Sequence, residues 1–206
     1  MIEPRRMSAS EEISDEELLA RVVNGHTDAF DLIVSRYKDR LYNFAFRFVG
    51  DSDTAEDIVQ ETFLRAFRKR REYRAIANFS TWIFTITGNL AKSELRRRKR
   101  WRFLSLDWSP EGDANGMELP DESHRPDNST ETVLVERSIQ QAVQSLPANY
   151  RQAVVLRDIE GMSYQEIAEI ANCPLGTVKS RVNRGRLKLQ QKLRAHGRDV
   201  GLKAKK

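Results

Sequence analysis

The sequence predicts an all-α protein: two small helical domains joined by a flexible acidic linker, with a helix-turn-helix in the C-terminal one. Three observations lead there. Apolar residues recur three or four positions apart along most of the chain, and alternating strand patterns are absent. Near the middle, an aperiodic acidic stretch interrupts that period. Further on, a neutral helix and a basic helix are separated by only Asn172-Cys173-Pro174.

A length of 206 residues suits two small domains. The formal net charge of +5 favours a polyanionic partner. The single cysteine, Cys173, excludes an internal disulfide and suits a reducing compartment. The opening residues MIEPRRMSAS lack the apolar stretch of a secretion signal, and no apolar run reaches the roughly 20 residues of a membrane span. The expectation is a cytoplasmic protein with no direct membrane insertion.

Residues 1–14 read as a flexible tail, and residues 15–102 as the first domain. Phe30, Ile33, Val34, Tyr37, Leu41, Phe44 and Phe48 form one apolar stripe on a long helix, which Gly50-Asp51-Ser52-Asp53 breaks. A second stripe runs through Ala55, Ile58, Val59, Thr62, Phe63 and Ala66, and a third helix from about Ser80 to Arg100. Residues 103–132 are assigned to the linker. Within 105–132 lie three prolines, two glycines and eight acids against the single Arg125, too little apolar surface to offset the entropy of ordering.

Residues 133–195 read as the second domain, and 196–206 as a basic tail. Val135, Ile139, Val143 and Leu146 again step by three or four, and Pro147 suits the first turn of a helix ending near Gly161. Ser163 and Glu166 form a capping-box pattern, with Met162 and Ile167 placed as a hydrophobic staple. Pro174 and Gly176 then force a turn. On the following helix Val178, Val182, Gly185 and Leu189 share one face. Lys179, Ser180, Asn183, Arg184 and Leu187 occupy the opposite half, with Thr177, Arg181 and Lys188 on its shoulder. Such a helix can enter a major groove, where Arg and Lys pair with guanine edges and Asn with adenine. A solvated basic helix is the plainer alternative, but cap, staple, turn and basic helix coincide here.

At this point the residues carry a resemblance. LPANYRQAVVLRDIEGMSYQEIAEIANCPLGTVKSRVNRGRLKL resembles the promoter-reading region four of bacterial sigma factors of the sigma-70 family. DAFDLIVSRYKDRLYNFAFRFVGDSDTAEDIVQETFLRAFR and FSTWIFTITGNLAKSELRRRKR resemble their region two. With only the acidic stretch between the two blocks, the chain resembles the compact extracytoplasmic function (ECF) group.

That resemblance implies a set of roles. The segment Asp57 to Phe63 corresponds to the part that docks on the clamp helices of the largest subunit of core RNA polymerase. Asp57, Gln60, Glu61, Leu64 and Arg68 lie opposite the buried stripe and would form that face, with the polymerase flap as a further contact. An ordinary acidic surface with one stray Leu is the plain alternative. Thr85, Asn89, Lys92, Ser93, Arg96, Arg97 and Arg100 would hold the −10 promoter element. From Lys92 to Arg102 seven of eleven residues are basic, opposed only by Glu94. Phe79 and Trp82 are nearby but read as core. Ser93 stands where many members carry Asp, a departure that bears on the favoured −10 base, because a hydroxyl can donate as well as accept. Thr177, Lys179, Ser180, Arg181, Asn183, Arg184 and Lys188 would read the −35 element. Arg65, Arg68, Lys69, Arg70, Arg71 and Arg74 form a second cluster, for promoter phosphate or polymerase. The acidic linker would thread the basic interior of the polymerase or serve as a solubilising spacer. Promoter DNA is thus an expected partner, and an anti-sigma protein is expected from the group's habit.

No catalytic residues, metal or cofactors are expected. His26, His124 and His196 are scattered, and no phosphate-binding loop appears. An autonomous helix-turn-helix repressor or activator is the alternative function. It would require a dimer interface to set half-site spacing, and no heptad seam is visible.

Overall fold

The computed structural model describes residues 13–73, 78–106 and 130–199, with side chains over 13–73, 78–101 and 135–194. Among these residues the structure is helical, without strands: α1 (Asp15–Val23), α2 (Ala29–Val49), α3 (Ser52–Arg68), α4 (Phe79–Leu106), α5 (Thr130–Gln144), α6 (Ala148–Val154), α7 (Tyr164–Ala171) and α8 (Leu175–Asp199).

Local chemistry sets the ends. At α1 the Ser14 hydroxyl accepts from the Glu17 amide at 3.2 Å, and three acids occupy the first turn. Gly50 ends α2 in the left-handed region (φ 80°), donating to the Phe46 carbonyl at 2.8 Å. Asp51 opens α3 by accepting from the Thr54 amide at 2.9 Å. The cap of α4 comes from elsewhere in the chain: Glu16 on α1 accepts from the Phe79 amide at 3.1 Å.

Three boundaries differ from the sequence expectation. Helix α4 continues to Leu106, into the segment assigned to the linker, because no Gly or Pro stands between Gly88 and Pro110. Helix α5 begins at Thr130 and α8 runs on to Asp199, each outside its expected block. The helix expected to run from Pro147 towards Gly161 is interrupted. After α6 it widens into one π-helical turn, Val155–Ile159, before Gly161 closes it with φ 72°. The rest of the linker, residues 107–129, lies outside the described residues, as do the N-terminal tail through residue 12 and Arg74.

The core of the first block is built from Leu18, Ile33, Tyr37, Leu41, Phe44, Phe48, Phe79, Ile83 and Phe84, all buried. Phe79 meets Tyr37 edge-on at 5.4 Å between ring centres and contacts Trp82 at 5.7 Å, so both aromatics near the polar stripe of α4 belong to packing. In the second block Leu156, Ile167, Ile170, Val178 and Val182 are buried. The two cores are continuous, since α4 packs on α7 and α2 packs on α5 and α6. Polar ties cross the same seam. Arg40 pairs with Glu160 at 3.2 Å, and the Gln140 amide donates to the Phe46 carbonyl at 2.9 Å. Gly88 lies under Gln152, where a Cβ would come within 2.8 Å of the amide nitrogen.

Candidate partner and nucleic-acid interfaces

Three separate faces carry the residues singled out in the sequence. The first is the outer side of α3. Its inner residues Ala55, Ile58, Thr62 and Ala66 are buried, which turns Asp57, Gln60, Leu64 and Arg68 to solvent. Leu64 is 50% exposed. Glu61 is half-buried and pairs with Arg65 at 2.6 Å, so its carboxylate is already engaged. An exposed Leu ringed by acid, amide and guanidinium offers an apolar anchor with a polar rim, the usual anatomy of a protein contact.

The second face is the stripe along α4. Asn89, Ser93, Arg96, Arg97 and Arg100 are exposed and Thr85 is half-buried. The Thr85 hydroxyl donates to the Thr81 carbonyl at 2.7 Å, leaving its lone pairs for an incoming donor. Arg96 donates to the Ser93 hydroxyl at 3.0 Å. Glu94 receives Arg97 at 2.7 and 2.9 Å and Arg98 at 2.9 Å. Hydrogen bonds from Arg97, opposed by burial, hold the Glu94 carboxyl below its usual range. Arg98 turns back towards the Val49 carbonyl and Asp51, so this one cation of the run is structural. Lys92 departs from the expected outward position. It is half-buried at the seam, and its ammonium pKa is lowered by desolvation first and then by Arg181.

The third face is α8. Val178 and Val182 are buried, and a Cβ at Gly185 would come within 2.5 Å of Val154 Cγ2 and 3.4 Å of the Tyr150 carbonyl. Close approach of α6 therefore requires glycine there. Lys179, Asn183, Arg184 and Lys188 are exposed, while Thr177, Ser180 and Arg181 are half-buried. The brace is α7, started by both halves of the capping box: the Ser163 hydroxyl accepts from the Glu166 amide at 3.2 Å, and Glu166 accepts from the Ser163 amide at 2.8 Å. Asn172 then turns the chain in the left-handed region (φ 45°). Arg186 is tied to Asp158 at 3.0 and 2.5 Å, which removes it from the free cations. Cys173 sits in the turn, where its sulfur accepts from Arg181 Nη1 at 3.3 Å.

The structure brings Lys92 and Arg181 near each other across the seam. What the sequence did not reveal is Arg151. It donates to carbonyls of Phe48, Gln144 and Leu146, and burial lowers its pKa to about 10. Arg in a helix of mixed polarity gives no signal of this position. Among the described residues no group of three or more His, Cys, Asp or Glu is placed to hold a metal ion. No described helix is long and apolar enough to cross a membrane.

Residues 33–101 match the family description "Sigma-70 region 2", and residues 136–189 match "Sigma-70, region 4". The ECF RNA polymerase sigma-E factor of Haemophilus influenzae is 36% identical over 187 residues, covering 89% of this chain and 97% of that protein. The RNA polymerase sigma-H factor of Pseudomonas aeruginosa is 38% identical over 176 residues, covering 84% and 90%. Among solved structures, the sigma factor RpoE of Bartonella quintana, in complex with the anti-sigma factor NepR, superposes with a TM-score of 0.62 at 31% identity, covering 80% of this chain and 96% of that one. CnrH, in complex with the cytosolic domain of CnrY, gives a TM-score of 0.67 over 89% of this chain and 99% of that one. At 23% identity it supports the fold alone.

Proposed function

The chain belongs to the ECF sigma factors of the sigma-70 family, and from this premise we propose how its faces divide the work of transcription initiation. The protein binds core RNA polymerase and directs it to specific promoters. The outer side of α3, with Asp57, Gln60, Glu61, Leu64 and Arg68, is the polymerase-docking face. The stripe Thr85, Asn89, Lys92, Ser93, Arg96, Arg97 and Arg100 holds the −10 element. Thr177, Lys179, Ser180, Arg181, Asn183, Arg184 and Lys188 read or flank the −35 element.

One observation carries this reading. The cationic outer side of α8, braced by α7, and the cationic stripe of α4 lie on one chain together with the Leu64 face. The chain supplies binding and orientation, and the polymerase supplies the chemistry. Its place is the cytoplasm, and an anti-sigma protein is its regulator, supported by the NepR complex of the Bartonella relative. The domain limits that fit this division are 15–102 and 133–195, with the matched regions 33–101 and 136–189 inside them.

Strand opening here requires no nucleotide hydrolysis. Holding an extruded base offsets the few kcal/mol of unstacking. The test is transcription in vitro with purified core polymerase and genomic DNA. The protein should create new start sites that share two spaced elements, and core alone should not. A chain that binds duplex promoter tightly without core would instead be an autonomous regulator.

A further inference from the structure

Helix α4 carries the cationic stripe, yet its first turn is held by groups from elsewhere in the chain. Asn78 is a residue type that ordinarily caps a helix, but its side-chain amide donates to Glu166 on α7. The Phe79 amide donates instead to the Glu16 carboxylate of α1 at 3.1 Å. The same carboxylate accepts from the Tyr73 hydroxyl, whose pKa rises to about 12 through burial first and the Glu16 charge next. Glu16 therefore clasps the chain on both sides of residues 74–77. Beside it, Asp15 accepts from Arg36 at 2.7 Å and from the Tyr37 hydroxyl, which fixes α1 on α2. The rings of Tyr73, Phe79 and Trp82 close on one another at 6.0, 5.2 and 5.7 Å between centres. Packing seats the Phe79 ring, and the carboxylate aims its amide.

We propose that Glu16 is a positioning residue for promoter-strand binding, which sets the start of α4 and through it the polar stripe, without touching DNA. This role rests on the assignment of α4 to the −10 element. Thr85 and Asn89 stand six and ten residues beyond Phe79, about 9 and 15 Å along the helix. A helix carries the placement of its first turn over that distance, because each residue is bonded to the one four positions back. A carboxylate also suits the positive end of the helix dipole. A cap with a purely structural role would change how much protein is folded, and would lower every binding activity in proportion.

The test compares Glu16→Ala, Glu16→Asp and Glu16→Gln in reconstituted holoenzyme. Fork-junction promoter DNA with a single-stranded −10 arm is titrated by fluorescence anisotropy, beside a duplex −35 probe and core polymerase. Amide exchange at Phe79 is followed in the free, full-length chain. Glu16→Ala should speed that exchange and weaken fork binding about fivefold, the equivalent of one lost cap. Glu16→Asp keeps the charge but shortens the reach, and should follow Glu16→Ala. Glu16→Gln still offers an oxygen to both donors, and should bind the fork as the unsubstituted chain does. Duplex −35 and core affinities should hold throughout. The role is overturned if Phe79 exchange speeds up while fork affinity stays, or if exchange does not change at all. It is equally overturned if fork and core binding fall together, or if Glu16→Gln is no better than Glu16→Ala. Should Glu16→Ala fail to fold, Glu16→Asp against Glu16→Gln makes the same comparison.

Asn89→Ala and Arg96→Ala in the same assay separate the two assignments. If they weaken fork binding and Glu16→Ala does not, only the positioning role fails. If none of the three changes matters, the promoter assignment of α4 fails as well.

Discussion

Arg151 on α6 donates to the carbonyl of Phe48 on α2, and the same guanidinium reaches the carbonyls of Gln144 and Leu146, the latter at 3.1 Å. One buried cation thus closes the C-terminal ends of two helices that belong to different sequence blocks. The partners of this guanidinium are backbone carbonyls, so the charge is balanced by helix-end carbonyl dipoles. The ring of Phe48 lies beneath it, 5.6 Å from guanidinium carbon to ring centre.

Arg151→Ala is therefore expected to be costly. It leaves buried carbonyls without a donor and opens a void beside Phe48. The expected loss is about 2–4 kcal/mol of unfolding free energy. Urea denaturation followed by circular dichroism measures it. A loss below about 0.5 kcal/mol would mean the guanidinium contributes nothing net at the seam.

Gly185→Ala tests the brace behind α8. The added methyl meets Val154 and the Tyr150 backbone, so α8 must shift away from α6. Overpacking of this kind costs about 1–3 kcal/mol. Transcription should fall with it while polymerase binding through α3 persists. Unchanged stability would show that α8 stands further from α6 than described.

Arg184→Ala and Glu61→Lys should separate the two binding roles. Arg184→Ala removes an exposed cation of α8 and should weaken −35 recognition by about 1–3 kcal/mol, with core binding intact. Glu61→Lys reverses a charge on the α3 face and sets it against Arg65, its present partner. Co-purification with core polymerase should drop, whereas Glu61→Gln should fall less. Loss of both functions in either variant would contradict the division between the faces. Rising salt should weaken promoter binding steeply, through release of phosphate counterions.

The pH dependence of stability should carry opposite signs from two glutamates. Hydrogen bonds from Ser163, side chain first and backbone next, hold Glu166 below the usual carboxyl range. Its contribution is full above the unfolded pKa of about 4.3 and is lost as pH falls through the lower folded value. Burial raises Glu160, and Arg40 only partly opposes this. Its contribution is present below the unfolded pKa and is lost as pH rises through the higher folded value. Glu166→Gln keeps the capping geometry, since Gln also serves there, and should flatten the acid-side loss. Glu160→Gln should steepen it. Denaturation midpoints measured from about pH 3 to pH 7 would reveal matching slopes in both variants if either sign were wrong.

The helices themselves were legible because their causes are local. The stripe from Ile33 to Phe48, the Gly50 stop, the Ser163–Glu166 cap and the turn at Asn172 each depend on residues within a few positions. So was the exposure of Asp57, Gln60, Leu64 and Arg68 on α3 and of Lys179, Asn183, Arg184 and Lys188 on α8, since burying one side of a helix decides what the other presents, whereas Glu61 and Ser180 are half-buried. The continuation of α4 to Leu106 was missed because acidic composition outweighed the absence of any breaker before Pro110.

From its residues alone this chain specified two helical blocks, a helix-turn-helix and the faces they present, since periodicity and capping act between near neighbours. Only the folded molecule decided that the blocks share a core, that Lys92 turns in beside Arg181, and that Arg98 serves α3 while Trp101 stands in water. Those outcomes depend on groups distant along the chain competing for the same space and the same hydrogen-bond partners, and no local pattern encodes which of them prevails.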